Sequence, residues 1–580
     1  AAARRTRDLW FGSRLLSELS RAAAQAVKDA GGELIFPADL EVPADRKTSG
    51  VANVILAELP ENDPARVAAD AKGAVGRKWG EFRDEAYNAV SACIRKKIWD
   101  DQADDVIEFY AAWVTRSNDY QADRARVMRL LAGRKNCRDF LPAKGWPGVP
   151  KSSLDGRRES VLKDLRVERI PERERRLLRL RDGEQLDVVG VVKRVWGGNR
   201  PYPSVSRVAA DPWVRGNQHR SAFQDLIEVC KGFPDDVLHG LSTKVFPQYR
   251  SFPFEGSAVY RSRFHEFRQE AAVSEQEVAR LAETLERLPE PEPYVAVLVA
   301  DGDRMGELIA DLKSPDDHRA FSRSLASFAQ KADDIVMEHY GFLVYAGGDD
   351  VLAFLPVDQC LACAAALREA FLESLKAYPK ASLSVGIAVG HFMENLEDLL
   401  EYGRAAEKAA KDPDRDGLAV HLYKRGGAPI RTRARWTKPP QEQPQQKPQQ
   451  QPQEPPHERP HELPHKRLHR LAELLLTDVI PSKLPYELRR LADLYADWPE
   501  PDETVASAMR ADVLRILEKK KSGKGPGEVR AALEDLVKEL SRPADLRGLA
   551  ENMLVARQLT RAFKQAASAP AHADPQEVHE

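Results

Sequence analysis

Two adjacent carboxylates stand in a predicted tight turn within this 580-residue chain. Residues 341–356 read GFLVYAGGDDVLAFLP, so that two apolar runs flank Gly347, Gly348, Asp349 and Asp350. This pattern predicts two antiparallel strands joined by a glycine turn. Carboxylates at the tip of a buried hairpin are poor core residues but good ligands for Mg²⁺ or Mn²⁺, which prefer oxygen donors. The turn is therefore a candidate metal site, with an ordinary hairpin as the alternative.

A third carboxylate, Asp301, follows a continuous apolar run at residues 294–300, YVAVLVA. Such a run predicts a buried central strand. The first and third strands of a β-α-β-β-α-β arrangement are sheet neighbours, which would bring Asp301 beside Asp349 and Asp350. Three converging carboxylates call for cations, and a pair of divalent metals supports phosphoryl transfer from a nucleoside triphosphate. We therefore expect Asp301, Asp349 and Asp350 to be both metal ligands and catalytic residues.

Several nearby groups could bind the nucleotide. Backbone amides between Gly302 and Gly306 precede a predicted helix and could hold phosphates. Lys408 and Lys411 lie on a later predicted helix and could meet the phosphates or form solvated ion pairs with neighbouring glutamates. Asp303 is either a further ligand or a turn or cap residue. The candidate nucleotide-binding residues are Gly302, Asp303, Gly306, Gly347, Gly348, Lys408 and Lys411.

The elements that must position these residues follow a regular order. After the first strand, helices are predicted at about 317–340, 359–376 and 396–411, and strands at 381–390 and 418–423. Together with the hairpin they give a β-α-β-β-α-β order with an appended helix and strand. This order predicts an α+β, ferredoxin-like domain at residues 291–430.

The remaining chain divides by composition. In residues 1–150 the apolar pattern predicts an amphipathic helix, a strand at 33–36 and two or three helices between 65 and 132. Residues 151–290 are mixed, with a basic segment at 166–186 that is either an RNA-facing patch or an ion-paired helix face.

A Pro/Gln-rich linker is predicted at residues 431–466, and a helical bundle at 467–580. His457, His461, His465 and His469 recur every fourth residue, but intervening prolines favour a linker over a metal-binding helix.

Bulk composition excludes some classes of protein. The 88 basic and 90 acidic residues nearly cancel, so a nucleic-acid surface must be local. Five cysteines are too few for a disulfide framework, and Cys360 with Cys363 is favoured as core packing over zinc. No apolar run reaches membrane-spanning length, so a cytoplasmic protein is expected, with no membrane partner. The chain lacks an initiating Met, so a preceding domain could be missing.

The segments YVAVLVADGDRMGELI and VYAGGDDVLAF resemble the catalytic palm of the large subunit of type III CRISPR effector complexes, in the type III-B (Cmr) branch. RTRDLWFGSRLLSELSRAAAQA and ELIFPADL resemble the opening of that family's first palm-like domain, and GEQLDVVGVVKRVWG and YPSVSRVAA resemble its middle region. The resemblance runs from residue 4 to about 425. It implies two ferredoxin-like palm domains, a helical middle region and a C-terminal helical bundle, with the first palm at residues 1–150.

The resemblance also implies a function. Such a subunit acts in an antiviral, RNA-guided complex with guide crRNA, target RNA and other Cmr subunits, and converts ATP to cyclic oligoadenylate when target RNA pairs. It implies Asp301, Asp349 and Asp350 as ligands of Mg²⁺ or Mn²⁺.

Two features depart from the pattern of many members. No His-Asp dipeptide occurs, so DNase activity of this chain is not expected, and Asp187 and Val188 stand near an expected cysteine, so no zinc is predicted. A catalytically weak scaffold subunit and a stand-alone enzyme like a diguanylate cyclase remain alternatives.

Overall fold

A computed structural model gives the architecture of the chain. It describes residues 3–40, 52–60, 63–137, 145–154, 156–196, 202–234, 237–238, 240–268, 273–437, 462–496, 498, 503–519, 531, 533–534 and 536–567. The central part of the predicted linker, with His457 and His461, lies outside the described residues.

The helices, in chain order, are α1 Thr6–Asp29, α2 Pro64–Val90, α3 Lys96–Ala103, α4 Tyr120–Asn136, α5 Glu172–Leu178, α6 Val188–Val195, α7 Val205–Ala209, α8 Asp211–Asn217, α9 Ser221–Lys231, α10 Phe264–Arg268, α11 Glu275–Glu286, α12 Met305–Ala310, α13 Pro315–Glu338, α14 Cys360–Ser374, α15 Leu396–Lys411, α16 Pro464–Leu476, α17 Leu484–Tyr495, α18 Glu503–Lys519 and α19 Pro543–Ala566. The strands are β1 Glu33–Phe36, β2 Leu56–Glu58, β3 Tyr294–Gly302, β4 Phe342–Gly347, β5 Asp350–Leu355, β6 Leu383–His391, β7 Gly417–Leu422 and β8 Ile430–Arg435. Short 3₁₀ helices cover Ser91–Cys93, Val167–Arg169, Pro247–Tyr249, Gly256–Ala258 and Arg261–Arg263.

A six-stranded sheet in the order β4-β5-β3-β6-β7-β8 forms the palm domain. Strand β3 pairs antiparallel with β5 on one side and with β6 on the other, while β6 and β7 run parallel. The hairpin and the placement of the first strand beside it are confirmed, as is the α+β class. Strand β8 extends the sheet at one edge and was not predicted.

Both faces of this sheet are covered, as the continuous apolar run of β3 predicts. Ala296 and Leu298 face a core shared with α13, α14 and the C-terminal helices, whereas Val295 and Val297 face a core shared with residues 208–288. Helix α15 lies on the Val297 side, where Gly403 lets it approach the strand closely. The sheet is therefore a rigid platform for groups at the strand ends.

The predicted domain boundary at residue 150 does not separate two cores. Apolar residues of segment 154–195 pack in one cluster with those of segment 15–103. Ile94 also forms an isolated antiparallel bridge with Leu162, which ties the two segments together. Within residues 1–150 the described strands are β1 and β2, which form a two-stranded sheet, and the rest is mainly helical.

The basic segment at 166–186 lies partly in ion pairs. Arg176 pairs with Glu172 at 2.6 Å and Arg181 pairs with Glu266 at 3.0 Å. These contacts favour the ion-paired interpretation for both arginines. Asp187, which stands near the cysteine that the family resemblance leads one to expect, caps α6 by accepting a hydrogen bond from the Gly190 amide at 2.9 Å.

Both ends of the predicted linker need correction. Residues 430–435 form β8, in which the buried Ile430 and Thr432 alternate with arginines, and Trp436 after them is 1% exposed. At the other end Pro464 occupies the first turn of α16, where its missing amide hydrogen costs nothing, so His465 and His469 are helical.

Helices α16, α17 and α19 pack together and against the palm, in agreement with the predicted C-terminal bundle. Cys360 and Cys363 are fully buried in this core, which supports the core-packing interpretation of the pair. Among the described helices, none combines the length and the apolar character that crossing a membrane requires.

Candidate active site

Asp301, Asp349 and Asp350 converge at one end of the sheet. One carboxylate oxygen from each lies within 4.8 Å of those of the other two. Asp301 lies near the end of β3, and the pairing of Ala300 with Val351 continues toward the hairpin turn that carries the other two aspartates. The predicted geometry is therefore confirmed, because a strand end and a neighbouring turn bring together residues nearly fifty positions apart.

Glycines allow this close approach. A Cβ atom at Gly302 would lie 2.8 Å from the Cβ of Asp349, so a side chain there would push the turn away from β3. Gly348 has φ +69°, a left-handed conformation that favours glycine. Gly347 lies against Tyr345, whose hydroxyl oxygen would be 2.0 Å from a Cβ at this position. These three glycines set the shape of the acidic site.

The two aspartates of the turn, Asp349 and Asp350, have raised pKa values. Burial and the nearby charge of Asp301 raise the pKa of Asp349 to about 6. Desolvation of the carboxyl group, a hydrogen bond with Asp301 and the charge of Asp349 raise the pKa of Asp350 well above its ordinary value. Burial and the same two turn carboxylates raise the pKa of Tyr345 to about 12. Negative charge in the cluster is thus only partly compensated by the protein.

Lys411 supplies part of that compensation. Its ammonium group forms an ion pair with Asp301 and a second one, at 2.6 Å, with Glu407 on the preceding turn of α15. Burial would lower the pKa of Lys411, but these two hydrogen-bonded carboxylates outweigh it and raise the pKa. Lys408 is exposed on the same helix. Of the two predicted lysines, the structure brings Lys411 into contact with the cluster.

Asp303 is buried and bonded to the protein. Its carboxylate accepts hydrogen bonds from the hydroxyl groups of Ser382 and Ser384, both at 2.8 Å, and from the backbone amide of Asp416 at 3.0 Å. Its own amide donates to the Ser382 carbonyl at 2.9 Å. These contacts favour a structural role over the ligand role that the sequence left open.

The predicted phosphate-binding amides precede a short helix, α12. Arg304 caps this helix with φ +54°, and Gly306 lies in its first turn with open space around its Cα. Because the Asp303 amide is used by Ser382, it does not contribute to a phosphate cradle. Roles for Gly302 and Gly306 in nucleotide binding stay predictions.

Sequence reasoning missed two residues around the site: Tyr345, as a neighbour of the turn, and Asp416, as a partner of Asp303. Glu407 and Lys411 stand four positions apart on a predicted helix, a spacing that signals a pair. No local sequence pattern identifies Asp416, because its contact with Asp303 spans 113 positions.

The donor set fits a divalent cation. Three carboxylates supply hard oxygen ligands, and the raised pKa values of Asp349 and Asp350 indicate that positive charge at this position is favoured. Asp301, Asp349 and Asp350 are the residues that would hold Mg²⁺ or Mn²⁺.

Two family models match the chain. Residues 294–419 match the second palm domain of Cas10/Cmr2, and residues 1–84 match the N-terminal region of the CRISPR-associated protein Cmr2. The first match begins at β3 and includes all three aspartates and Lys411. The family resemblance and the acidic site thus coincide in one segment.

A curated relative agrees with these models. The chain is 36% identical over 168 residues to CRISPR system Cmr subunit Cmr2 of Pyrococcus furiosus. The matched part covers 24% of this chain and 19% of that relative, so the match spans about one fifth of the relative's length.

Two solved structures share the overall fold at 12% sequence identity. The type III-B Cmr-beta complex in its apo state contains a chain that matches with a TM-score of 0.60, covering 89% of this chain and 75% of that one. The Cmr-beta complex bound to cognate target RNA gives a TM-score of 0.62, covering 98% and 82%. These two structures show what fold the chain shares, and the similarity to Cas10/Cmr2 rests on the segments matched by the two family models and the relative.

Proposed function

We propose that this chain is the palm subunit of an RNA-guided type III-B CRISPR complex and that it converts ATP to cyclic oligoadenylate once target RNA is bound. The observation that carries the proposal is the convergence of Asp301, Asp349 and Asp350 within 4.8 Å at the end of the palm sheet. Carboxylates in this arrangement suit phosphoryl transfer, in which positioning and charge compensation are the main tasks of the protein.

A divalent cation, when bound, would activate the attacking hydroxyl and stabilise the charge that develops on the transferred phosphoryl group. Strand β3 and the rigid hairpin β4–β5 hold Asp301, Asp349 and Asp350 in place. Lys411 places an ammonium group beside Asp301, where it can meet the triphosphate of ATP as a point charge. Its pairing with Glu407 keeps that charge on the inner side of α15.

The expected partners are guide crRNA, target RNA and other Cmr subunits. Support comes from the relative, which is named as a Cmr subunit, and from the solved Cmr-beta complexes, one of which is bound to cognate target RNA. Base pairing with the guide supplies sequence recognition in such systems, so the protein is expected to contact RNA mainly through phosphates and shape.

The test uses the assembled complex with cognate target RNA, ATP and Mg²⁺, and it measures oligoadenylate by chromatography and mass spectrometry. The double substitution Asp349→Asn and Asp350→Asn should abolish the product while the complex still binds target RNA. A matched control is Asp334→Asn, on α13 away from the cluster, which should leave synthesis unchanged.

The same assay separates the alternatives. Target RNA binding with no oligoadenylate that depends on Asp349 and Asp350 would contradict the proposal and favour a scaffold subunit. Cyclic dinucleotide made from GTP by the free chain would favour the diguanylate-cyclase-like enzyme instead.

A further inference from the structure

A continuous series of contacts joins the acidic site to the C-terminal helices. We call it the Asp416 relay, and it consists of Asp303, Asp416, Arg368, Trp436 and His465. Four of these residues lie on different elements: the end of β3, the loop before β7, α14 and α16. The relay is therefore tertiary, and each contact in it fixes one element against another.

At the acidic site, the relay forms a closed ring with Asp301 and Lys411. The Asp416 amide donates to Asp303 at 3.0 Å, and Asp303 follows Asp301 by two positions. On the other side, the loop from Asp416 leads back to Lys411, whose ammonium group contacts Asp301. The hydrogen bond and the ion pair together fix the end of β3 against the end of α15.

Asp416 adopts an unusual backbone conformation where it bonds Asp303. It has φ +43° and follows Arg415 with φ +60°, so two successive residues other than glycine adopt the left-handed conformation. A residue other than glycine is strained in this conformation, because its Cβ comes too close to the following carbonyl oxygen. Asp416 is 6% exposed, and the surrounding contacts must offset this strain.

The other contacts of Asp416 are with residues farther from the acidic site. Arg368 on α14 binds the Asp416 carboxylate with its Nη2 atom at 3.2 Å and its Nε atom at 3.4 Å. The Thr437 hydroxyl donates to the same carboxylate. The backbone carbonyl of Asp416 accepts a hydrogen bond from the Trp436 amide at 2.8 Å, which continues the β7–β8 pairing. Asp416 is thus held through both its side chain and its backbone.

Trp436 connects this group to the C-terminal helices. The guanidinium of Arg368 lies 5.3 Å from the centre of the Trp436 ring, a distance at which a cation–π interaction is favourable. The same ring lies 5.6 Å from the His465 ring at the start of α16. Trp436 is 1% exposed and shares a core with α16 and α19.

We propose that Asp303 and Asp416 are positioning residues, and that through Arg368 and Trp436 the C-terminal helices determine how firmly Asp301 is held for metal binding. The proposal rests on the proposed function in one respect, which is that Asp301 is a metal ligand. Residues that hold metal ligands in place typically change metal affinity 10–100-fold when they are replaced. A shift of the C-terminal helices would reach the site by this route.

The first experiment measures Mn²⁺ binding to the full chain by electron paramagnetic resonance. Asp416→Asn keeps the shape of the side chain and removes the charge that binds Arg368, so Mn²⁺ affinity should fall about tenfold. Asp414→Asn is the matched control, because Asp414 lies in the same loop but pairs with Arg433 and with Arg435, and of these Arg435 also lies 3.9 Å from the Asp416 carboxylate. Its Mn²⁺ affinity should change less than twofold. Equal affinity in the Asp416→Asn variant and the wild type would overturn the proposal.

A double-mutant cycle tests the distant end of the relay. Trp436→Leu should lower Mn²⁺ affinity in the wild-type background and cause little further loss in the Asp416→Asn background. Trp436→Phe keeps an aromatic face for Arg368 and should restore most of the affinity. Independent, additive losses would show that Trp436 does not act through Asp416 and would overturn this part of the proposal. Near-ultraviolet circular dichroism confirms that each variant is folded.

The metal readout keeps this proposal separate from the proposed function. If the Mn²⁺ pattern holds while the assembled complex makes no oligoadenylate, the positioning role stands and the synthetase function fails. If the complex makes oligoadenylate while the Asp416→Asn variant binds Mn²⁺ like the wild type, the positioning role fails and the function stands.

Discussion

The ammonium group of Lys411 forms an ion pair with the carboxylate of Asp301, although the two residues are 110 positions apart in the chain. The contact places a fixed cation at the edge of a cluster whose other two carboxylates have raised pKa values. In the proposed function, a triphosphate would meet Lys411 on one side and the three carboxylates on the other. Substitution at Lys411 therefore tests the nucleotide side of the site.

Lys411→Ala should raise the KM for ATP about tenfold or more, since a hydrogen bond to a charged group contributes about 1.5–3 kcal/mol. Lys408→Ala is the matched control, because Lys408 lies on the same helix and is exposed. Steady-state oligoadenylate synthesis by the assembled complex, at saturating target RNA and Mg²⁺, provides the measurement. Similar changes in KM for the two variants would contradict the assigned position of Lys411.

The glycine turn gives a second prediction, on stability. Ala at Gly347 would place a Cβ 2.0 Å from the Tyr345 hydroxyl oxygen, and relieving that overlap should cost about 1–3 kcal/mol. Ala at Gly348 has open space but must adopt φ +69°, which should cost about 1–2 kcal/mol. Differential scanning calorimetry of each variant measures the loss. Gly426→Ala, with no atom within 4 Å of its Cβ, is the control, and an equal loss there would contradict both expectations.

Much of the palm domain could be predicted because its signals are local. The apolar run of β3, the paired runs of the hairpin and the periodicity of α15 each fix an element type, and the resulting strand order places Asp301 beside Asp349. The acidic site then follows from topology, without knowledge of side-chain contacts.

Other features depend on tertiary contacts that a sequence does not display. Strand β8 has the sequence IRTRAR. Because arginines alternate along it, the sequence does not indicate that Ile430 and Thr432 are buried. Asp303 looks like a metal ligand because it follows Asp301, yet its carboxylate accepts hydrogen bonds from Ser382 just before β6, from Ser384 in β6 and from the loop before β7. The shared core of segments 15–103 and 154–195 is also formed by pairing across a long sequence separation.

A buried charge network provides the third prediction. Arg194 is fully buried and pairs with Asp8 at 2.7 Å and with Glu184 at 2.8 Å, so it joins α6 to α1. Burial would raise the pKa of Glu184, but the charge of Arg194 and its hydrogen bond outweigh it and hold that pKa below its usual value. Arg194→Met leaves two buried carboxylates without their cation and should cost about 3–5 kcal/mol.

Urea unfolding measures this loss. Arg194→Lys should be intermediate, because one ammonium group cannot bond both carboxylates with the planar geometry of a guanidinium. Lys376→Met removes an exposed partner of Glu373 and is the control, with little change expected. A small loss for Arg194→Met, no larger than that of the control, would mean that the network does not hold α1 and α6 together.

The fourth prediction concerns pH and two buried histidines of the palm domain. Burial, with the charge of Arg431, lowers the pKa of His421 to about 4, and burial with the charge of Arg124 lowers that of His318 to about 4. The unfolded chain keeps histidine pKa values near 6.5, so between about pH 6.5 and pH 4 it binds protons that the native state does not. The free energy of unfolding contributed by these residues is thus complete above pH 6.5 and is lost as the pH falls toward 4.

Replacing both histidines, as His318→Gln and His421→Gln, should flatten the fall in stability across that interval. Asp349 acts in the opposite direction, because its raised pKa favours the native state as the pH falls through about 6, so each variant is compared with its parent at every pH. Urea unfolding at four values between pH 7.5 and pH 4.5 gives the curves. His469→Gln, at a side chain that is 52% exposed, is the control. Parallel curves for the double variant and the wild type would show that the two histidines do not carry this pH dependence.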